Sequence, residues 1–292
     1  LLHLPAVTAY LVAGLLLGPF FLGRLNVPGL GFNTLEEVNV LSIVSQTALG
    51  FIAFAMGNEF RLSQLRTIGS RAIIIGILQA VITTIVVDVI LLLLHLFFPH
   101  IISVPCAITL GAIAAATAPA ATLMVVRQYK ADGPMTRLLM LVVALDDAVG
   151  LLLFSVSFGI ATALSNGQVS VLAVVVEPIV EILLSVGLGG FMGLLLHWVE
   201  RFFHSRSKRM SLSVAFVMLT VGLSMLEFQI GPVHCGFSLL LVCMMTGTIF
   251  CNVCPTSEEL MERVDGWTMP LNILFFVISG AELDLNVLSQ PV

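Results

Sequence analysis

The sequence predicts an all-α polytopic membrane protein with about nine transmembrane helices. Three observations carry that prediction. Hydrophobic residues make up 59% of the 292 residues and charged residues only 10%, whereas a soluble domain carries about 25% charged residues. The apolar residues fall into runs of roughly 17–30, long enough to span a bilayer. The basic residues gather in alternate connections between those runs, as cytoplasmic loops do. Helices are the expected element because they satisfy their own backbone hydrogen bonds in lipid.

In chain order the runs are 5–23, 39–60, 70–98, 104–128, 137–165, 169–200, 211–227, 233–250 and 267–284. The long fifth and sixth runs are expected to tilt. Arg61, Arg66 and Arg71 lie between runs two and three, and Arg127, Lys130 and Arg137 between four and five. Arg201, Arg206, Lys208 and Arg209 lie between six and seven, and Arg263 between eight and nine. Of the twelve basic residues only Arg24 falls on the other side. A missed or invented helix would scramble this alternation, so it supports the count as well as the orientation.

Run two ends ALGFIAFAMGNEFRLSQL and run nine ends LNILFFVISGAELDLNVL. Gly57, Glu59, Arg61 and Leu62 match Gly280, Glu282, Asp284 and Leu285. By the charge rule the two helices run in opposite directions, which predicts an inverted repeat, a device of transporters. The chain opens at Leu1 without a methionine, shows no signal peptide, and stops at Val292. Both ends are read as cut.

Several function classes are excluded. The net charge of −5 and the absence of a basic patch leave nothing for nucleic acid to bind. The five cysteines, Cys106, Cys235, Cys243, Cys251 and Cys254, are odd in number and sit in apolar helices, so no disulfide framework is expected. Cys251 and Cys254 form a C-N-V-C pair at a helix end. One such pair cannot fill a tetrahedral metal site alone, so no metal and no cofactor is assigned.

The residues that carry chemistry stand in run five. Asp146 and Asp147 are the only charges between Leu138 and Leu164. A carboxylate near the bilayer centre costs about 2.5–3.5 kcal/mol on the gentlest scales, and intramembrane acids mark ion or proton paths. The pair lies about 14–15 Å from Arg137 at 1.5 Å per residue, near the middle of a core about 30 Å thick. Helix neighbours diverge by about 100°, so one aspartate should face a water-filled site and the other a packing partner. Lysine and arginine stand only at the ends of the runs, as Arg71, Arg127 and Arg137 do, so none lies at mid-depth to neutralise them. Burial and a second carboxylate both raise a carboxyl pKa, so a proton and a small cation compete for one negative site.

Run four reads CAITLGAIAAATAPAATLMVVRQY, with Pro119 at its middle. Proline lacks the amide hydrogen and clashes with the carbonyl four residues back, and it pushes Ala118 toward extended backbone. The helix is expected to break near Thr117, Ala118 and Pro119, exposing carbonyls and the Thr117 hydroxyl as oxygen ligands. Secondary candidates are Asp88, placed near the outer interface, and Glu177 and Glu181, which share a face of run six.

These residues resemble a known family. ALDDAVG at 144–150 resembles the Asp-Asp signature of electrogenic sodium/proton antiporters. LPAVTAYLVAGLLLGP at 4–19 is similar to the first helix of the monovalent cation:proton antiporter-2 family, and FAMGNEFRL and FFVISGAELDL to paired motifs of that superfamily. The resemblance implies an inverted-repeat fold with a discontinuous fourth helix. It implies scaffold helices 1–2 over residues 1–66, half of a mobile ion-transport core (helices 3–5) over 67–166, and over 167–292 a linking helix with scaffold helices 7–9. It implies exchange of a monovalent cation, sodium before potassium, for protons, by elevator-like alternating access. Asp147 would bind the cation or proton, Asp146 would pair with a lysine on helix ten, and the Thr117–Pro119 break would add ligands. A homodimer in a bacterial cytoplasmic membrane, and two protons per cation, are implied likewise. The chain ends after helix nine, so the second half of the core is absent, and the piece alone is expected not to transport.

Other classes stay open. A potassium efflux system or gated channel would carry a nucleotide-binding domain after Val292. A proton-coupled symporter would show competition by an organic solute. An intramembrane aspartyl protease needs two aspartates facing each other, which helical neighbours do not provide.

Overall fold

The computed structural model describes residues 6–25, 27, 31–58, 60–62, 70–116, 131, 133–165, 177–203, 205–226, 228–230 and 233–284. The helices are α1 (Ala6–Leu17), α2 (Leu35–Asn39), α3 (Ser42–Asn58), α4 (Ser70–Phe97) and α5 (Val104–Ala115). They continue with α6 (Pro134–Ser165), α7 (Glu177–Glu200), α8 (Arg206–Ser224), α9 (Leu239–Val253) and α10 (Ser257–Ala281). A small antiparallel hairpin, β1 (Phe228–Ile230) and β2 (Val233–Cys235), joins α8 to α9.

Each of the nine predicted runs holds one described helix, with corrections at the ends. Run eight was expected from 233, but Val233–Cys235 pairs as a strand and α9 begins at Leu239. Ser238 caps α9 there, its hydroxyl accepting from the Leu241 amide. α10 starts at Ser257 instead of near 267, so Arg263 lies in a helix and not in a loop. It is a bent pair, Ser257–Val264 and Gly266–Ala281, at 43°. Among the described residues, Ala6–Leu25, Ile73–Phe97 and Ile179–Glu200 are long and apolar enough to cross a membrane, and the bent pair makes a fourth. The 12 residues of α5 and 15 of α9 fall short of the roughly 20 a span needs.

The helices pack in two groups. α4, α5 and α6 pack on one another. α3, α7, α8, α9 and α10 pack around a second core holding Phe51, Phe54, Leu196, Val217, Phe250 and Met261. α1 lies along α10, and α6 touches α7 between the groups.

Small residues set the close crossings, as expected where lipid supplies no hydrophobic drive between helices. A Cβ on Gly57 would strike the Met244 carbonyl of α9, and one on Gly247 would strike the Phe54 carbonyl of α3. Polar side chains then fasten the same crossing. Thr248 donates to the Gly57 carbonyl at 3.2 Å and Asn252 to the Phe60 carbonyl at 2.8 Å.

Three of the four connections expected on one side of the membrane meet at one end. Arg61 pairs with Glu258 at 3.2 Å, Arg206 with Glu259 at 3.1 Å, and Arg209 with Glu200 at 3.6 Å. Arg263 pairs with Glu259 at 3.2 Å. Three separate predicted loops thus share one ion-pair layer.

Candidate functional site

The site is built where α5 stops against the middle of α6. Ser103 caps the start of α5, its hydroxyl accepting from the Cys106 amide, with proline in the first turn. The helix ends at Ala115, and Ala116 is extended at φ −73°, ψ 130°. At 1.5 Å per residue the 12 residues of α5 cover only about 18 Å, less than the roughly 30 Å of a bilayer core. Thr117, Ala118 and Pro119, expected to break the helix, lie outside the described residues.

Ala116 arrives beside Gly150 of α6, where an added Cβ would lie 3.5 Å from the Ala116 Cβ. Gly150 stands four residues after Asp146, one turn further along the same face. Asp146 is 0% exposed, and neither of its carboxylate oxygens has a hydrogen-bond partner among the described residues. Asp147 lies in the same helix, but its side chain is not among those described.

Beside this junction is a cavity of about 290 Å³. Ala112, Ile113, Ala116 and Gly150 line it from the α5–α6 side. Leu49, Ala53, Met56 and Met244 line it from the α3–α9 side. Its walls are apolar, so the two helix groups face each other there without polar side chains.

Asp88 was expected near the outer interface, and the structure places it against α5. It lies nine residues, about 14 Å, inside the Phe97 end of α4. Its carboxyl sits in the space left by Gly111 of α5, and its Oδ1 is buried without a partner among the described residues. Gly111, with no side chain of its own, accommodates a carboxylate. Glu181 is half-buried on α7, the helix that approaches α9 through Gly189 and Gly193. Glu177 begins α7, and its side chain is not described.

Sequence reasoning missed two buried amides. Gln46 Oε1 on α3 and Asn272 Oδ1 on α10 have no partners among the described residues. The available signal was a polar residue inside an apolar run, the one that singled out the acids.

A buried, unpartnered carboxylate cannot stay as it is. Isolated charge in a low-dielectric interior is costly, so a proton or a cation must compensate it. That choice is the chemistry the arrangement offers.

Comparison with known proteins follows the same line. The model of a family described as sodium/hydrogen exchanger, transmembrane, matches residues 1–292. The fold resembles that of the sodium proton antiporter MjNhaP1 from Methanocaldococcus jannaschii, with a TM-score of 0.71 and 17% identity. The alignment covers 99% of this chain and 67% of that one. Among curated proteins none matches.

Proposed function

The chain belongs to the sodium/hydrogen exchanger family, and from that premise we propose that it exchanges a monovalent cation, sodium in preference to potassium, for protons. One observation carries the reading. Asp146 is fully buried at the middle of α6 with no compensating partner among the described residues, one helical turn from the Gly150–Ala116 contact and its cavity.

In this reading Asp147 takes the cation or the proton, and the Thr117–Pro119 segment adds oxygen ligands. Asp146 carries the second negative charge and takes the counter-charge that burial demands. Because the empty charged site is expensive to move through lipid, it crosses only when loaded. Loading by cation in one direction and by proton in the other gives obligatory exchange.

The moving part is the α4–α6 group (within 67–166), and the α3, α7–α10 group is the scaffold. The apolar wall between them at the cavity lets the groups slide without breaking hydrogen bonds. The scaffold helices pair two copies into a dimer, and the membrane is a bacterial cytoplasmic one.

The test uses everted vesicles containing the protein expressed at its full natural length and carrying a proton gradient. Sodium, lithium and potassium are added in turn. Collapse of the gradient by sodium at lower concentration than potassium, lost in Asp147→Asn, is the expected result. No collapse by any of the three would end the exchange reading. Collapse that survives Asp147→Asn would move the site away from that residue.

A further inference from the structure

We propose that His197, Glu200 and Cys254 form a zinc site at the ion-pair end of the scaffold, separate from the transport site. The C-N-V-C pair does not act as a unit, because the structure turns its two thiols apart. Cys251 Sγ lies 3.2 Å from the Thr248 carbonyl and 3.8 Å from that of Gly57, toward α3. Cys254, the extended residue that ends α9, points toward α7. Its Sγ lies 3.0 Å from Glu200 Oε2.

Glu200 is the last residue of α7, and His197 precedes it by three residues, on the same helix face. One ligand atom from each of His197, Glu200 and Cys254 lies within 4.8 Å of the others. Glu200 is 2% exposed and Cys254 5%. Nδ1 of His197 is buried and has no hydrogen-bond partner among the described residues. A buried polar atom left unpaired is destabilising, and a metal would satisfy it.

The donor set is one imidazole nitrogen, one carboxylate oxygen and one thiolate, the mixture that suits Zn²⁺. Around tetrahedral zinc, bonds of about 2.0–2.3 Å place ligand atoms roughly 3.3–3.8 Å apart. In the present cluster the Cys254 Sγ–Glu200 Oε2 separation is 3.0 Å and no separation exceeds 4.8 Å, within reach of that spacing by side-chain rotation. Three protein ligands leave the fourth position for water. On binding, the Cys254 S–H bond breaks, a Zn–S bond forms and the proton leaves to solvent. Thiolate and carboxylate then neutralise the metal.

An outer layer is already in place. Thr256 donates to Glu200 Oε1 at 3.2 Å, and Arg209 Nε stands 3.6 Å from the same oxygen. Such partners orient ligating carboxylates. The metal would tie α7 to the α9–α10 connection beside the Arg61–Glu258 pair. This does not rest on the exchange reading, since metal binding is measured without transport.

The experiment titrates Co²⁺, as a coloured stand-in for zinc, into the detergent-purified protein. The expected result is a thiolate-to-cobalt absorption band saturating at one metal per chain and displaced by Zn²⁺. Cys254→Ser should remove the band, His197→Gln should weaken binding at least about tenfold, and Cys251→Ser should leave both unchanged. A second measurement needs no variant: Zn²⁺ should slow alkylation of Cys254, mapped by peptide, at least about tenfold. Absence of the band in the unaltered protein, its survival in Cys254→Ser, or alkylation of Cys254 indifferent to Zn²⁺ would overturn the site.

Discussion

The α3–α9 crossing and the α4–α6 group treat polar atoms in opposite ways. At the crossing, Thr248 and Asn252 reach backbone carbonyls near the end of α3, and Thr246 reaches the Gly189 carbonyl of α7 at 3.2 Å. In the α4–α6 group, Asp88 Oδ1 and both oxygens of Asp146 are buried without partners among the described residues. A satisfied polar atom fastens a membrane helix, by about 0.6 kcal/mol on average. An unsatisfied carboxylate does the reverse, and a protein retains it where an ion or proton is to bind. On the proposed function, the first region would stay still and the second would be loaded.

The comparison can be broken most forcefully at the crossing. Gly57→Leu would drive a side chain into the Met244 carbonyl. We expect a loss of about 3 kcal/mol, the upper end for overpacking, seen as aggregation on size exclusion. A well-behaved protein with an unchanged melting profile would show that the crossing is not tight.

Asp146→Asn tests the other region, and its two readouts should diverge. Exchange should fall at least about tenfold while thermal stability rises by about 1 kcal/mol, the stability–activity trade-off of a functional charge. If the variant instead loses stability, Asp146 is a structural residue and the contrast between the regions collapses.

Thr248→Val keeps the shape and removes one hydrogen bond to the Gly57 carbonyl. We expect a cost of about 1 kcal/mol, with the exchange rate per folded molecule unchanged. A rate that fell along with stability would mean that the crossing takes part in the transport movement. The smallest effect belongs to the surface. Glu259 and its two arginine partners are 41–73% exposed, so Arg263→Ala should shift stability by less than about 0.5 kcal/mol. A larger shift would make the ion-pair layer a fastening in its own right.

Much of this was readable along the chain. Asp146 and Asp147 stood out because a membrane penalises each charge singly, so two adjacent carboxylates in an apolar run are conspicuous without any structure. The grouping of the basic connections was readable for a similar reason, and ion pairs join Arg61, Arg206, Arg209 and Arg263 to acids at one end. The start of α9 was misplaced because Val233–Cys235 adjoins the apolar run and one histidine does not interrupt it, and hydropathy does not separate a short strand from a helix. That Asp88 meets Gly111 was not readable, because counting along α4 from Arg71 gives a position on the helix and not the helix that faces it.

The sequence by itself determined the apolar helices and the acidic pair, because the bilayer imposes its costs residue by residue and run by run. Only the tertiary structure decided which groups meet. Gly111 receives Asp88, Ala116 reaches Gly150, and Cys254 turns from its C-N-V-C partner to Glu200 and His197. Those contacts join residues of different helices, and their geometry depends on how the helices cross and which way each side chain points. Neither is written in local composition.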